Sequence, residues 1–202
     1  MQRLGVIGVR KRYRTPTYRR AVLIGLTGRN ASGKSTVVDW FVSKGLVSES
    51  CSDSIRDHLR EKGIEESREN LIEGGRELRR IGGAGILAEM LLERLAGEEA
   101  VIDSIRTPGE VETLREREDF ILIEVRAGME ARWQRAQSRA RSGDALDRES
   151  FFTQEESETV AKEESGQALD ATAALADLIL VNDASLEELH SDLEELWVML
   201  SE

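Results

Sequence analysis

The fold is decided by one stretch, Gly28-Arg29-Asn30-Ala31-Ser32-Gly33-Lys34-Ser35, which matches the pattern G-x-x-x-x-G-K-[ST] and is followed by Thr36. The apolar run AVLIGLTG at 21–28 predicts a buried strand before it, and GKSTVVDWFVSKG at 33–45 predicts a helix after it. In that setting the two glycines let successive backbone amides point at one phosphate chain, and the helix adds its positive dipole end. We call residues 28–36 the phosphate loop, and they predict a site for a nucleoside triphosphate.

Two side chains of the phosphate loop have predicted roles of their own. Lys34 is expected to reach the β- and γ-phosphates as a catalytic residue, and the Ser35 hydroxyl is expected to bind Mg²⁺. A chance match to the pattern is the alternative, and the strand–turn–helix context argues against it. ATP and Mg²⁺ are therefore the predicted cofactors.

Length and composition limit the class of protein that this chain can be. A chain of 202 residues that is 40% hydrophobic and 33% charged is long enough for one substantial core. Its apolar runs fall short of the ~20 residues that a membrane span needs, and its basic N-terminus leads into no signal-peptide core. Cys51 is the only cysteine, which excludes an internal disulfide and a zinc cage of thiolates. We expect a cytoplasmic protein with no membrane partner.

The net charge of −11 is unevenly distributed along the chain. Residues 1–20 form a basic N-terminal arm that contains no acid, and residues 21–202 form the predicted domain. The favoured interpretation is a leader docked on the acidic remainder, and an arm that binds nucleic acid is the alternative. The stretch LGVIGV at 4–9 could add an edge strand.

Strand and helix patterns alternate from Arg20 onward. Besides the run at 21–28, strands are predicted at 46–52, 100–105, 120–127 and 177–182. Helices are predicted at 54–63, 68–83, 84–97, 108–118, 128–143, 149–176 and 185–200. Crossover helices predict an α/β three-layer sandwich, with a five-stranded parallel sheet and helices on both faces. The helices within about 54–97 have no strand between them and predict a helical insertion.

The letters DSIR occur twice, at Asp53–Arg56 and at Asp103–Arg106. Each copy is expected at the carboxyl end of a strand, where ligands bind in open parallel sheets. Asp103 is predicted to be the Mg²⁺-side acid, and Asp53 to orient or deprotonate the acceptor as a catalytic residue. Arg56 and Arg106, one helical turn further on, are predicted to bind an anionic acceptor. The alternative for each copy is a helix cap with a surface ion pair, worth only about 0.3–1 kcal/mol.

Two other classes of nucleotide-binding protein are disfavoured. The sequence has no guanine-reading N-K-x-D run, since Asn182-Asp183 is followed by Ala184. Asp103 is followed by Ser104, so the second carboxylate that polarises water in mechanical ATPases is missing. A transfer of the phosphoryl group to a small molecule is the reaction that these residues favour.

Arginines on a late helix extend the predicted site. Arg132, Arg135 and Arg139 fall on one helical face, and Arg141 lies in the loop that follows. A solvated basic face is the alternative. Beside a triphosphate site these side chains predict a small lid at about 139–155, with Arg139 catalytic, Arg135 at the nucleotide and Arg141 at the acceptor.

Several segments resemble the P-loop nucleoside monophosphate kinase superfamily. The similarity is closest to the branch that holds dephospho-CoA kinases, deoxynucleoside monophosphate kinases and an archaeal kinase-like family. It is carried by GLTGRNASGKST at 25–36, SDSIR at 52–56, ENLIEGGRELRRIGGAGILA at 69–88, VIDSIRTPGEVETLR at 101–115, RAQSRARSGD at 135–144 and ADLILVNDASLEEL at 176–189. The resemblance implies a P-loop NTPase fold with an acceptor-binding insertion.

The resemblance also implies roles for two further residues. Arg79 would hold the acceptor phosphate, and the loop at Asn182 would lie against adenine. The sequence departs from the pattern after Asn182, where the family's glycine is replaced and the chain reads Asn182-Asp183-Ala184. The lid lacks the closing Arg-Asp pattern of many adenylate kinases, which argues against AMP as the acceptor.

The sequence therefore predicts ATP-dependent phosphoryl transfer to a small anionic acceptor. A nucleoside or deoxynucleoside monophosphate is the favoured acceptor. A dephospho-CoA kinase-like transfer to a hydroxyl, with Asp53 as base, is one alternative. A non-catalytic ATP-binding regulator or nucleic-acid-associated module is the other. The chain is expected to be a monomer or a homodimer.

Overall fold

A computed structural model describes residues 23–139, 147–159 and 168–201 of the chain. The basic arm at 1–20, the candidate edge strand at 4–9 and the lid residue Arg141 lie outside the described residues. The described ranges contain the phosphate loop from Gly28 onward, both DSIR copies and a five-stranded sheet.

The predicted five-stranded parallel sheet is confirmed. Its strands are β1 (Leu23–Thr27), β2 (Val47–Ser50), β3 (Ala100–Asp103), β4 (Phe120–Arg126) and β5 (Leu178–Val181), in the order β2-β3-β1-β4-β5. All five residues of β1 are buried, and Ile24 pairs with Val101 on one side and with Ile121 on the other. The phosphate loop therefore leaves the sheet at its centre, between the carboxyl ends of β3 and β4.

The helices of the described ranges are α1 (Lys34–Ser43), α2 (Cys51–Glu61), α3 (Arg68–Gly82), α4 (Ile86–Leu95), α5 (Pro108–Leu114), α6 (Met129–Arg139), α7 (Arg148–Thr159), α8 (Leu169–Ala174) and α9 (Leu186–Ser201). The prediction of one acidic helix over 149–176 is wrong, because Ala168 has non-helical dihedrals (φ −135°, ψ 63°) and α8 begins after it. Within these same ranges no helix has the length and apolar character to cross a bilayer.

Helices cover both faces of the sheet, as predicted. Alternate residues of β1 point to opposite faces, because side chains alternate along a strand. Ile24 and Leu26 pack in one apolar cluster with α1 and α9, which contributes Leu189, Leu193, Leu196 and Leu200. Leu23 packs in a second cluster with residues of α2, α4 and α5. The two clusters give the three layers of the sandwich.

The two DSIR copies adopt different structures, which corrects the prediction that both end a strand. β2 ends at Ser50, and α2 begins at Cys51 because Ser50 and Asp53 form a capping box. The Ser50 amide donates to Asp53 Oδ2 at 3.2 Å, so Asp53 lies in the first turn of a helix. Asp103 does end β3 as predicted, but Arg106 lies in the loop before α5, whose N-cap is Thr107.

Candidate active site

The phosphate loop requires both glycines of its pattern. Gly28 has φ 136°, and a Cβ there would lie 2.3 Å from the carbonyl oxygen of Val125 on β4. Gly33 has φ 102°, and a Cβ there would lie 2.1 Å from Nδ2 of Asn182 after β5. Other residues rarely adopt such positive φ values, and no side chain fits in either space. The pattern glycines are therefore fixed by the neighbouring strands as well as by the turn.

Two side chains of the loop are arranged as a phosphate site requires. Lys34 Nζ donates to the carbonyl oxygens of Gly28, at 2.7 Å, and Arg29, at 3.1 Å, which holds the ammonium over the loop. Ser32 Oγ is the one fully buried side-chain N or O atom, among those of the described residues, that has no hydrogen-bond partner. An unsatisfied buried hydroxyl costs about 1–3 kcal/mol, so this atom fits a ligand that supplies the missing bond.

One cavity of about 680 Å³ joins the phosphate loop to the helical insertion. Residues 30–36 line the cavity on the side of the phosphate loop, and residues of α2 and α3 line it on the side of the insertion. The cavity brings together most of the predicted site: Asp53, Asp103, Arg56, Arg79, Arg106, Arg135 and Arg139. A smaller adjoining space of about 70 Å³ is lined by Gly28, Lys34 and Arg106. Arg29 and Asn182 line neither space.

Asp103 and Ser35 supply oxygen donors that fit Mg²⁺. Both residues line the large cavity, one from the end of β3 and the other from the first turn of α1. The described residues hold no cluster of three or more His, Cys, Asp or Glu that could enclose a metal. Mg²⁺ is commonly bound by one or two protein oxygens together with phosphates and water, so this small donor set suits it.

Asp53 is occupied by neighbours on its own helix. Its Oδ1 accepts from Arg56 Nη1 at 2.6 Å, and its Oδ2 accepts from the Ser50 amide. Arg56 Nε also donates to Glu66 at 2.6 Å. Burial alone lowers the pKa of Arg56, but the hydrogen bonds with Glu66 and Asp53 raise it overall. The first DSIR copy therefore forms the helix cap and the ion pair that the sequence allowed as the alternative to a catalytic role. Both lie in the lining of the cavity.

Arg79 forms a buried ion pair that the sequence did not predict. Its Nη2 and Nε donate to Glu110 Oε1 at 2.8 and 3.3 Å, and the two side chains are only 3% and 0% exposed. The other oxygen, Glu110 Oε2, accepts from the backbone amides of Arg106 at 2.7 Å and Thr107 at 3.2 Å. Arg79 lines the cavity, and its charge is neutralised by a carboxylate that holds the loop carrying Arg106.

The arginines of α6 contact the phosphate loop, each in a different way. Arg132 is buried, and it donates a hydrogen bond to Glu155 of α7, so its guanidinium is held inside the fold. Arg135 Nη2 donates to the carbonyl oxygen of Asn182 at 2.9 Å. Arg139 Nη2 donates to Asn30 Oδ1 at 2.8 Å. Arg135 and Arg139 line the cavity from the edge of the phosphate loop.

Arg29 connects the phosphate loop to the last helices. Its guanidinium contacts Glu155 of α7 at 3.3 Å and Asp170 of α8 at 3.0 Å. Burial acts to lower the pKa of Arg29, and the two carboxylates more than offset it, so the pKa is raised. Arg29 therefore positions the loop through ion pairs outside the cavity.

Sequence reasoning missed two residues that line both spaces, Arg68 and Ser104. Arg68 is the first residue of α3, directly after the N-cap Ser67, and a cap signal of this kind could have placed it. Ser104 follows Asp103 with a φ of 64°. A serine in that conformation has no signal in the sequence.

Comparison with known proteins identifies relatives that cover most of the chain. No family model matches it. The chain is 30% identical over 183 residues to a UPF0200 protein of Hyperthermus butylicus, covering 89% of this chain and 95% of the relative. TT1252 from Thermus thermophilus is similar in structure, with a TM-score of 0.60 at 21% identity over 91% of this chain and 100% of the other. A shikimate kinase from Bacteroides thetaiotaomicron has a TM-score of 0.52 at 14% identity, over 88% and 97% of the two chains. The implied P-loop kinase-like fold is confirmed.

Replacing Glu110 with Gln should destabilise the fold. Arg79 would keep its buried charge without a carboxylate partner, and removing one member of a buried pair costs about 3 kcal/mol. Urea unfolding followed by tryptophan fluorescence measures the loss. Glu112→Gln on the same helix is the control, because Glu112 is exposed, and it should change the free energy of unfolding by less than about 0.5 kcal/mol. Equal stability of the two variants would contradict the assigned role of Glu110.

Stability should fall at alkaline pH because of Cys51. Burial, with a further contribution from the Glu110 carboxylate, raises the pKa of this thiol well above its ordinary value. Above about pH 8.5 the thiol ionises in the unfolded chain but stays protonated in the folded one, so stability is lost as pH rises, by up to about 1.4 kcal/mol per pH unit. Cys51→Ala removes this dependence. The difference in unfolding free energy between wild type and Cys51→Ala should be constant from pH 6 to 8 and shrink towards pH 10. A difference that stayed constant up to pH 10 would refute the role of the buried thiol.

Proposed function

The chain belongs to the UPF0200 family, and we propose that it transfers the γ-phosphoryl group of ATP to a small anionic acceptor. The observation that carries the proposal is the single cavity that runs from the phosphate loop to an arginine-rich wall. A protein that only hydrolysed or bound the nucleotide would have no need of this second compartment, which is lined with arginines. A transferase needs both compartments open to each other, because the two reacting groups must meet.

The donor side of the cavity is suited to the triphosphate of ATP. Lys34 and the backbone amides of the phosphate loop would bind the phosphates, and Ser32 Oγ would gain its missing partner. Ser35 and Asp103 would hold Mg²⁺, which neutralises phosphate charge when bound. Asn182 supports Gly33 from behind the loop by donating from Nδ2 to the carbonyl oxygen of Ser32 at 2.9 Å. Because Asn182 is used in this way, we assign it to shaping the nucleotide site.

The acceptor side favours a phosphate over a hydroxyl. Arg56 and Arg106 line the cavity, and guanidinium groups bind phosphate in a forked geometry. Arg56 would exchange a contact with Asp53 or Glu66 for a contact with the phosphate. Both oxygens of Asp53 already accept hydrogen bonds, so Asp53 is not arranged to take a proton from a hydroxyl. Apolar side chains also line this side of the cavity and offer a surface for a flat ring, namely Leu71, Ile72 and Leu87. A nucleoside or deoxynucleoside monophosphate combines the anion and the ring.

Transfer itself requires little covalent help from the protein. Positioning and neutralisation of the developing charge supply most of the rate enhancement in phosphoryl transfer. Arg139 is our candidate for contacting the transferring group, with Arg135 beside the nucleotide. Arg141, which lies outside the described residues, would complete the lid. The similarity in fold to a shikimate kinase adds support by analogy only.

The proposal extends to the cellular compartment and the oligomeric state. We expect the enzyme to work in the cytoplasm, as a monomer or homodimer, on a small-molecule acceptor. The basic arm at 1–20 leaves a nucleic-acid-associated role as the alternative to be tested.

A panel of acceptors tests the proposal. Release of ADP from ATP is measured with each of the ribo- and deoxyribonucleoside monophosphates, with dephospho-CoA and with no acceptor. We expect fast release with one or a few monophosphates. Release with dephospho-CoA alone would instead show transfer to a hydroxyl. Equal release without any acceptor would show an ATPase, and no release at all would favour the regulatory or nucleic-acid-associated module.

Lys34→Ala should reduce transfer at least about 1,000-fold, because it removes the cation expected at the β- and γ-phosphates. Lys44→Ala is a matched control. Lys44 caps the far end of the same helix, where it pairs with Glu194 at 2.6 Å, and its loss should leave kcat/KM within about 2-fold of wild type. Activity of Lys34→Ala near the wild-type level would remove the phosphate loop from the reaction.

Arg106→Ala should raise the KM for the acceptor about 10- to 100-fold and change the KM for ATP by less than about 3-fold, since one charge-assisted contact is lost. Its backbone amide, and so the bond to Glu110, is retained. Arg117→Ala is the control. Arg117 pairs with Asp119 at the amino end of β4, whereas the cavity lies at the carboxyl ends of the strands. An equal rise in both KM values for Arg106→Ala would argue against an acceptor role. Arg79→Ala would not separate an acceptor role from a structural one, because it leaves the Glu110 carboxylate buried without its arginine.

A further inference from the structure

Ser104 has a backbone conformation that suits glycine better than serine. It follows Asp103 at the carboxyl end of β3, and its φ is 64°. Only Ala31 and Ala96 share a positive φ among the non-glycine residues that the structure describes. A side chain in the left-handed region costs stability, and residues with this strain are concentrated at functional sites. The presence of serine rather than glycine at position 104 therefore needs an explanation.

The position of Ser104 suggests that reason. Ser104 lines the large cavity and also the smaller adjoining space, where its neighbours include Lys34 and Arg106. Lys34 is the residue proposed to contact the phosphates of ATP, and Arg106 is the one proposed to contact the acceptor. Ser104 thus lies where the donor and acceptor compartments meet.

Among the described residues, the backbone of Ser104 makes a hydrogen bond and its hydroxyl makes none. The amide donates to Asp103 Oδ1 at 2.6 Å, and glycine would provide the same bond. The hydroxyl makes no hydrogen bond to any other residue of the described ranges, although the side chain is half-buried. Its strain is therefore not offset by a contact within these parts of the fold.

We propose that the Ser104 hydroxyl binds the reacting phosphate of the acceptor and selects for it, an inference that rests on the proposed function. The hydroxyl donates a hydrogen bond to one phosphate oxygen while Arg106 binds another. A third, unprotonated oxygen attacks the γ-phosphorus of ATP. The new P–O bond forms as the bond to the β–γ bridging oxygen breaks, and ADP leaves with that electron pair. Ser104 keeps its proton throughout, so it positions the acceptor and is not a nucleophile.

Three variants separate the strain from the contact. Ser104→Gly relieves the strain and removes the hydroxyl, and Ser104→Ala removes the hydroxyl but keeps the strain. Ala96→Gly relieves the same kind of strain, since Ala96 has a φ of 47°. Ala96 follows α4, shortly before the amino end of β3, and it lines neither the large cavity nor the smaller space. Each variant is compared with wild type in thermal unfolding and in steady-state kinetics, with ATP and the fastest acceptor of the panel.

We expect both glycine variants to keep or raise the Tm, by up to about 4 °C, and Ser104→Ala to leave it near wild type. Both Ser104 variants should lower kcat/KM for the acceptor about 10- to 100-fold and change the KM for ATP by less than about 3-fold, since a hydrogen bond to a charged group is lost. Ala96→Gly should keep wild-type kinetics.

Several results would overturn the inference. Acceptor kinetics of Ser104→Gly and Ser104→Ala within about 2-fold of an active wild type would overturn it alone and leave the proposed function in place. A lower Tm for Ser104→Gly would show that the fold uses the hydroxyl. Equal effects on ATP and on the acceptor would place the contact on the donor side. A wild-type chain that transfers phosphate to no acceptor would overturn the proposed function and this inference together.

Discussion

The phosphate loop passes so close to two neighbouring chain segments that its glycines have no room for a Cβ atom. At Gly28 the neighbour is the Val125 carbonyl of β4, and at Gly33 it is the Asn182 amide after β5. The shape of the loop therefore depends on the register of β1, β4 and β5, which fixes where those two groups lie. Both supporting strands lie on the same side of β1, in the order β2-β3-β1-β4-β5. The site therefore depends on the pairing of three neighbouring strands.

Charged groups of α6 and α7 also support the loop. Glu155 binds Arg132 of α6 and Arg29 of the loop, and both Glu155 and Arg132 are almost fully buried. Buried ion pairs contribute little net stability, but an incomplete one is costly, so α6 and α7 must pack together for the loop to be supported. Arginines that look interchangeable along α6 thus divide between support, at Arg132, and the cavity wall, at Arg135 and Arg139.

The parts of the molecule that could be predicted from sequence are those determined by local patterns. The phosphate loop and the five strands follow from short runs of residues whose periodicity and turn signals are decisive. Asp53 was misplaced because Ser50 and Asp53 start a helix where the apolar pattern suggested a longer strand. Glu110 was missed because its partner Arg79 lies in a different helix. The strained φ of Ser104 depends on surroundings that no single sequence reveals.

The pairing of Arg79 with Glu110 has a consequence for how this chain diverges. The two residues are separated by 31 positions in the sequence, yet each neutralises the other although both side chains are almost fully buried. A change at one position alone leaves a buried charge, and a joint change to apolar residues of similar size removes both. Glu110 also holds the amides of Arg106 and Thr107, so a joint change would release the loop that carries Arg106. Positions 79 and 110 are therefore expected to covary among relatives, and to do so together with the residues of that loop.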